Sequence, residues 1–300
     1  MVINPSKPIE IVYLYNSIEP KDVFTFKLLY NQLVQLRRNK LIHEWEDSLA
    51  GTIIQDELKF RLEQVYVIVL LISSSFNAED RYSGAETVTL VRKCFNKGAY
   101  IWPIIIGPVY WSSFDEYDIF FGQGGKSVQS SNSQDEVCRQ IAIKIGGQIA
   151  RILSKAWARD GDKCYRQIYL PHSLPTALSA YECSLSYIHD YPPALLGKGR
   201  ILHRQGKLEE ATQYFNAIIS PNTQLLKRGK DAIPFDNQHS SLEYACYKGY
   251  ALLEVKQFAE ARQAFQEVYQ RIATPVDSTQ RNVCAEAYSG EGDTYRMLGH

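Results

Sequence analysis

No stretch of this chain is apolar for long enough to cross a bilayer. The longest such run, Val65 to Ile72, has eight residues, against roughly 20 for a spanning helix. Nor does a basic segment lead into an apolar one at Met1-Val2-Ile3-Asn4-Pro5, so no secretory leader is expected. An excess of one charge is also missing. The 33 Lys and Arg balance the 33 Asp and Glu, which argues against a general binder of nucleic acid or membrane surfaces. The six cysteines, Cys94, Cys138, Cys164, Cys183, Cys246 and Cys284, include no pair at metal-ligand spacing. They read as free thiols of a reducing compartment. His43, His172, His189, His203, His239 and His300 show no paired spacing with cysteines or acids, so no metal or catalytic role is assigned to them. The expectation is a soluble cytoplasmic protein without a metal or a resident cofactor.

What is present falls into two halves with different periods. From residue 1 to about 156, strands and helices alternate. Ile9 to Tyr15 reads as a strand, and Asp22 can cap a helix with Leu29, Leu33 and Leu36 on one face. Leu41 to Trp45 is a second short strand, followed by a helix ending near Glu63. Val65 to Ile72 is β-branched and unbroken, the pattern of a strand buried on both faces. A helix from about 79 to 97 follows, then a strand at Ile101 to Ile106, where Pro103 favours an edge or a strand end. Ser133-Gln134-Asp135-Glu136 has the form of a capping box and opens a helix with Val137, Ile141, Ile145, Ile149 and Leu153 on one stripe. This alternation predicts an α/β domain built on a three-layer parallel sheet. Gly122-Gln123-Gly124-Gly125-Lys126-Ser127 lies in a polar loop over 113–132. Phe120 stands where a phosphate loop needs its first glycine, so a surface loop is the better reading.

After residue 157 the strands stop. Ala177 and Ala211 are 34 residues apart, as are Tyr181 and Phe215. Gly199, Gly206, Ala211 and Phe215 recur as Gly249, Lys256, Ala261 and Phe265. A third copy starts at Gly292 and reaches Gly299. Small residues let two helices approach closely while aromatics fill the space beside them. This pattern resembles the tetratricopeptide repeat, whose period is 34 residues. The longer spacings imply insertions, one around Pro221 to Gln238. The division expected is 1–156 for the α/β domain, 157–174 for a linker and 175–300 for the helical repeats. The last repeat lacks its second helix and a closing cap, so either the final helix docks on something else or the chain is truncated, and truncation is the expectation.

Four segments of the first half carry a second resemblance. They are Tyr15-Asn16-Ser17 after the first strand, Trp45 to Gly51 after the second, Val65 to Phe76 around the third, and Ile104 to Trp111 around the fourth. In order and spacing, residues 9–156 resemble a bacterial Toll/interleukin-1 receptor (TIR) domain, which implies a flavodoxin-like fold. Many members of that family hydrolyse NAD+ at the nicotinamide–ribose bond. The resemblance places the catalytic glutamate at Glu86 and the aromatic one turn before it at Tyr82. It implies Trp45, Asn16, Ser17 and Asp47 as substrate-binding residues, with NAD+ as substrate rather than cofactor. The chemistry is sound on its own terms. Nicotinamide leaves as a neutral base through an oxocarbenium-like transition state, which a nearby carboxylate stabilises electrostatically. An aromatic four residues earlier shares the helical face and can stack on a base. Glu79 stands where the family often has serine, with Asp80 beside it, and neighbouring acids disfavour ionisation of any one of them.

The function implied is an NAD+ hydrolase effector of anti-phage defence. Self-association through the TIR half would activate it, and the repeat half would sense a protein or peptide partner. The alternatives are a non-enzymatic TIR and repeat adaptor, or a cyclase that makes a cyclic ADP-ribose-type signal from the same residues.

Overall fold

A computed structural model describes residues 3–46, 62, 65–74, 85–107, 109, 127–167, 169–170, 172–220, 237–272, 275 and 278–299. The chain divides into two units, Met1–Ile149 and Ala150–His300. Among the described residues the first is α/β and the elements of the second are helices.

In the first unit, β1 (Ile9–Leu14), β2 (Ile42–Glu46), β3 (Val67–Ile72) and β4 (Tyr100–Ile105) form one parallel sheet in the order β2-β1-β3-β4. Every residue of β3 is buried, as its unbroken apolar sequence requires of a strand covered on both faces. Its register sets Ile68 beside Val12 on one side and beside Ile101 on the other. Pro103 pairs with Leu70 in β4, the edge strand of the described sheet. A missing N–H is tolerated there. The chain steps from β1 outward to β2, then returns to the opposite side of β1 with β3. The winding therefore reverses between β1 and β3, where parallel sheets open a crevice at their carboxyl ends.

Among the described residues this unit also holds helices α1 (Pro20–Gln32), α2 (Val34–Arg38), α3 (Ala85–Asn96) and the first part of α4 (Gln134–Arg166). Two local expectations need correction. Asp22 does not cap α1. Glu19 occupies the N-cap position without a side-chain bond, and Asp22 sits inside the first turn. Only half of the capping box is made. The Glu136 amide donates weakly to Ser133 Oγ at 3.4 Å, while the Glu136 carboxylate holds Arg139 at 2.7 Å instead of reaching back. The helix sequence at 79–84, most of the helix before Glu63 and the loop over 113–126 lie outside the described residues.

α4 continues through Arg166, so residues 157–166 are helix rather than linker. The cause is packing, because Ala158 is buried in a cluster with Ala177, Tyr181, Ala194 and Ile201. α5 (Ser173–Tyr187), α6 (Pro192–Arg204), α7 (Leu208–Ile219), α8 (Asn237–Glu254), α9 (Phe258–Arg271) and α10 (Ser278–Leu298) follow. Among the described residues no helix is long and apolar enough to cross a membrane.

Glycine opposite an aromatic ring organises this second unit. A Cβ on Gly161 would lie 2.7 Å from the Tyr181 ring, and one on Gly197 only 2.2 Å from it. Tyr181 is thus clamped between α4 and α6, with its hydroxyl donating to Asp162 Oδ1 at 2.6 Å. Phe215 lies against Gly199, and Phe265 lies between Gly249 and Gly290. Gly290, not Gly292, meets Phe265; a Cβ on Gly292 would have nothing within 4 Å. The turns between paired helices also repeat. Gly206 has φ +78° and Lys256, at the matching place, has φ +63°. The insertion placed around Pro221 to Gln238 lies outside the described residues except for Asn237 and Gln238, which begin α8.

Candidate functional site

The crevice is built first by the exit of β1. Tyr15 is buried and stacks on Phe26 of α1, with ring centroids 4.5 Å apart. Asn16 is also buried, and its Oδ1 accepts hydrogen bonds from the Ile18 amide at 2.9 Å and the Glu19 amide at 3.3 Å. That Asx turn ends the strand and delivers Pro20 to the first turn of α1, where its fixed φ is favourable. Ser17 is half-buried beside it, and Ile18 is 67% exposed. The acceptor of Asn16 thus serves the loop's own backbone, and any bond to a ligand falls to its Nδ2 donor.

Under this exit lies a polar node that the sequence did not reveal. Asp22 is only 1% exposed. Its Oδ2 accepts a short hydrogen bond from Ser73 Oγ, at the exit of β3. Its Oδ1 accepts from Gln129 Nε2 at 3.1 Å. Gln129 belongs to a single 3-10 turn, Val128–Ser130, and its amide donates to Ile106 O at 2.8 Å, just past β4. The Ile106 and Gly107 amides both point to Ile72 O, at 2.9 and 3.3 Å. A Cβ on Gly107 would sit 3.2 Å from both Ser73 Cβ and Gln129 Oε1, so the exits of β3 and β4 meet at backbone distance. Burial pushes the Asp22 carboxyl above its usual range. The bonds from Ser73 and Gln129 act against that rise, and the charge of Glu19 adds to it.

The remaining expected residues are distributed as follows. Trp45 lies in β2 opposite Val12, four residues before Asn16, half-buried against the cluster that holds Val12, Leu14 and Leu70. It belongs to the wall of the sheet rather than to the exit loop. Glu86 lies in α3, between β3 and β4 in the chain. Asp47 and Tyr82 lie outside the described residues, as do Glu79 and Trp111. The structure therefore brings Asn16 and Ser17 to the reversal point, beside Ser73, and puts Trp45 in the flanking strand. Among the described residues no three His, Cys, Asp or Glu side chains are grouped so as to hold a metal.

Sequence reasoning missed Asp22 as a buried group, gave Ser73 and Gly107 no role beyond the segments of the resemblance, and gave Gln129 none. Asp22 reads equally well as a helix cap. Gln129 sits in a polar stretch that looks like surface, with no sequence signal for its role. Comparison with family models, with curated proteins and with solved structures finds no match.

Proposed function

We propose that the first unit cleaves NAD+ at the nicotinamide–ribose bond, as a TIR-like domain of flavodoxin-like fold, with Glu86 as the catalytic carboxylate. The observation that supports this reading most is the sheet order β2-β1-β3-β4, which sets the exits of β1 and β3 side by side. A crevice of that kind is where a dinucleotide settles in parallel sheets, and Glu86 lies in α3, between β3 and β4 in the chain. In this reading Glu86 holds the ribose hydroxyls and stabilises the oxocarbenium character of the transition state. Tyr82 stacks on a base, Asn16 and Ser17 donate hydrogen bonds, and Trp45 and Asp47 close the side toward β2.

The helical unit is read as tetratricopeptide-like repeats that sense a protein partner, with self-association of the first unit switching the enzyme on in defence against phage. The glycine–aromatic clamps at Tyr181, Phe215 and Phe265 support the repeat reading. Incubating concentrated or crowded protein with NAD+ and measuring nicotinamide tests the activity. Wild type should release it, and Glu86→Ala should not. Equal release by both, or release by neither under every assembly condition, refutes the reading. If release occurs, the mass of the second product separates hydrolysis from cyclisation.

One observation favours the non-enzymatic adaptor as a second reading. Ile18, at the exit of β1, and Phe24, in α1, are 67% and 56% exposed, apolar surface suited to protein contact. For that reading NAD+ should leave thermal stability unchanged, and Tyr82→Ala should make no difference.

A further inference from the structure

Two donors from distant segments hold one buried carboxylate, and two further segments pack around those donors. Asp22 comes from α1, Ser73 from the exit of β3, and Gly107 from the exit of β4. Gln129 comes from the 3-10 turn, and its carbonyl accepts from Gln134 Nε2 of α4 at 3.3 Å. Burying a carboxylate is unfavourable unless hydrogen bonds replace water, and apolar side chains of similar volume often serve stability as well or better. Stability alone therefore does not explain a 1% exposed aspartate at this position. Geometry does. An aspartate offers only acceptors on a short stem, and here one oxygen takes a donor from the exit of β3 and the other a donor from the 3-10 turn whose Gln129 amide is bonded to Ile106 O, just past β4.

We propose that Asp22 is the positioning residue of the candidate site: by accepting from Ser73 and Gln129 it fixes the exits of β3 and β4 against α1. That sets the floor of the crevice over which a substrate lies. The role rests on the NAD-cleavage reading, in which Ser73 begins the segment leading to Glu86, 13 residues further along. A shift of about 1 Å in such a floor lowers turnover by roughly 100-fold, without removing any group that touches substrate.

The test compares Asp22→Ala with Asp22→Asn in the full chain. Asparagine has the same shape and can keep both contacts after the Gln129 amide turns over, because its Oδ1 accepts from Ser73 and its Nδ2 donates to Gln129 Oε1. Asp22→Ala should lower kcat for nicotinamide release by about 100-fold with KM little changed, and Asp22→Asn should restore most of it. Hydrogen exchange is the second readout. Peptides covering 67–74 and 100–107 should exchange faster in Asp22→Ala and as in wild type in Asp22→Asn. If wild type releases no nicotinamide, the NAD reading fails while the exchange result still decides the positioning role. Wild-type kcat in Asp22→Ala, equal loss in both variants, or unchanged exchange overturns the proposal. Should Asp22→Ala not fold, the Ser73→Ala and Gln129→Ala double variant, which removes both donors and keeps the aspartate, is judged by the same kcat and exchange readouts.

Discussion

Two glycines of α10, two residues apart, should respond differently to alanine. A Cβ on Gly290 would meet Phe265 Cζ at 2.3 Å, Cε1 at 2.4 Å and Cε2 at 2.8 Å. Carbon atoms rest at about 3.5–4.0 Å, so the ring would have to retreat by more than about 1 Å. It cannot do so cheaply, because the Cβ position of Gly249 lies only 2.6 Å from the same ring on α8. Overpacking of this kind costs about 1–3 kcal/mol. On Gly292 a Cβ would meet nothing within 4 Å, and replacing a glycine inside a helix contributes about 1 kcal/mol. Both variants share that helix gain, so their difference isolates the overpacking. Gly290→Ala should therefore be less stable than Gly292→Ala by about 1–3 kcal/mol. For a unit of this length, each kcal/mol moves Tm by about 2–4 °C. Calorimetry on the three proteins measures it, with Gly292→Ala melting above wild type and Gly290→Ala below Gly292→Ala by several degrees. Equal Tm values for the two variants would refute the clamp as the organising contact of the repeats.

Lys256 holds φ +63° at the turn where the preceding pair of helices has Gly206. A left-handed conformation costs a residue with a Cβ about 1–2 kcal/mol, so Lys256→Gly should raise the Tm of the helical unit by a few degrees, and a fall in Tm would contradict it. Asp22 is buried with its carboxyl shifted upward from 3.8. Its folded state therefore binds the proton more tightly than its unfolded state, and stability falls as pH rises from about 4 through the folded value. Asp22→Asn removes this dependence, so the Tm of the variant relative to wild type should climb across that window, and a flat difference between pH 4 and 7 would contradict the shift.

The parts of the fold readable in advance were those where one segment dictates its own environment. Val67 to Ile72 is apolar at every position, and only a strand covered on both faces accepts that. Ala177 and Ala211, or Tyr181 and Phe215, carry the helical period in their spacing, and each is buried where the period puts it. Contacts between distant segments were not readable. Gly161 and Gly197 close on Tyr181 from two helices, and nothing in either glycine's neighbourhood names that ring. Continuation of α4 through Arg166 depends on Ala158 finding Ala177 and Tyr181. The same holds at the candidate site. Asn16 and Ser17 came with the resemblance, and the structure puts Asn16 buried and Ser17 half-buried at the exit of β1. Asp22, Ser73 and Gln129 come together across separations of 51 and 107 residues, and only the folded sheet joins them.

The central claim is that a carboxylate in α3 cleaves NAD+. A proton NMR time course of NAD+ with crowded wild type, beside Glu86→Gln, tests it most directly, because free nicotinamide is seen as it forms and the variant keeps the size of the side chain. Growth of the nicotinamide signal with wild type and none above the buffer rate with Glu86→Gln is the predicted result. Equal rates in the two samples would contradict it.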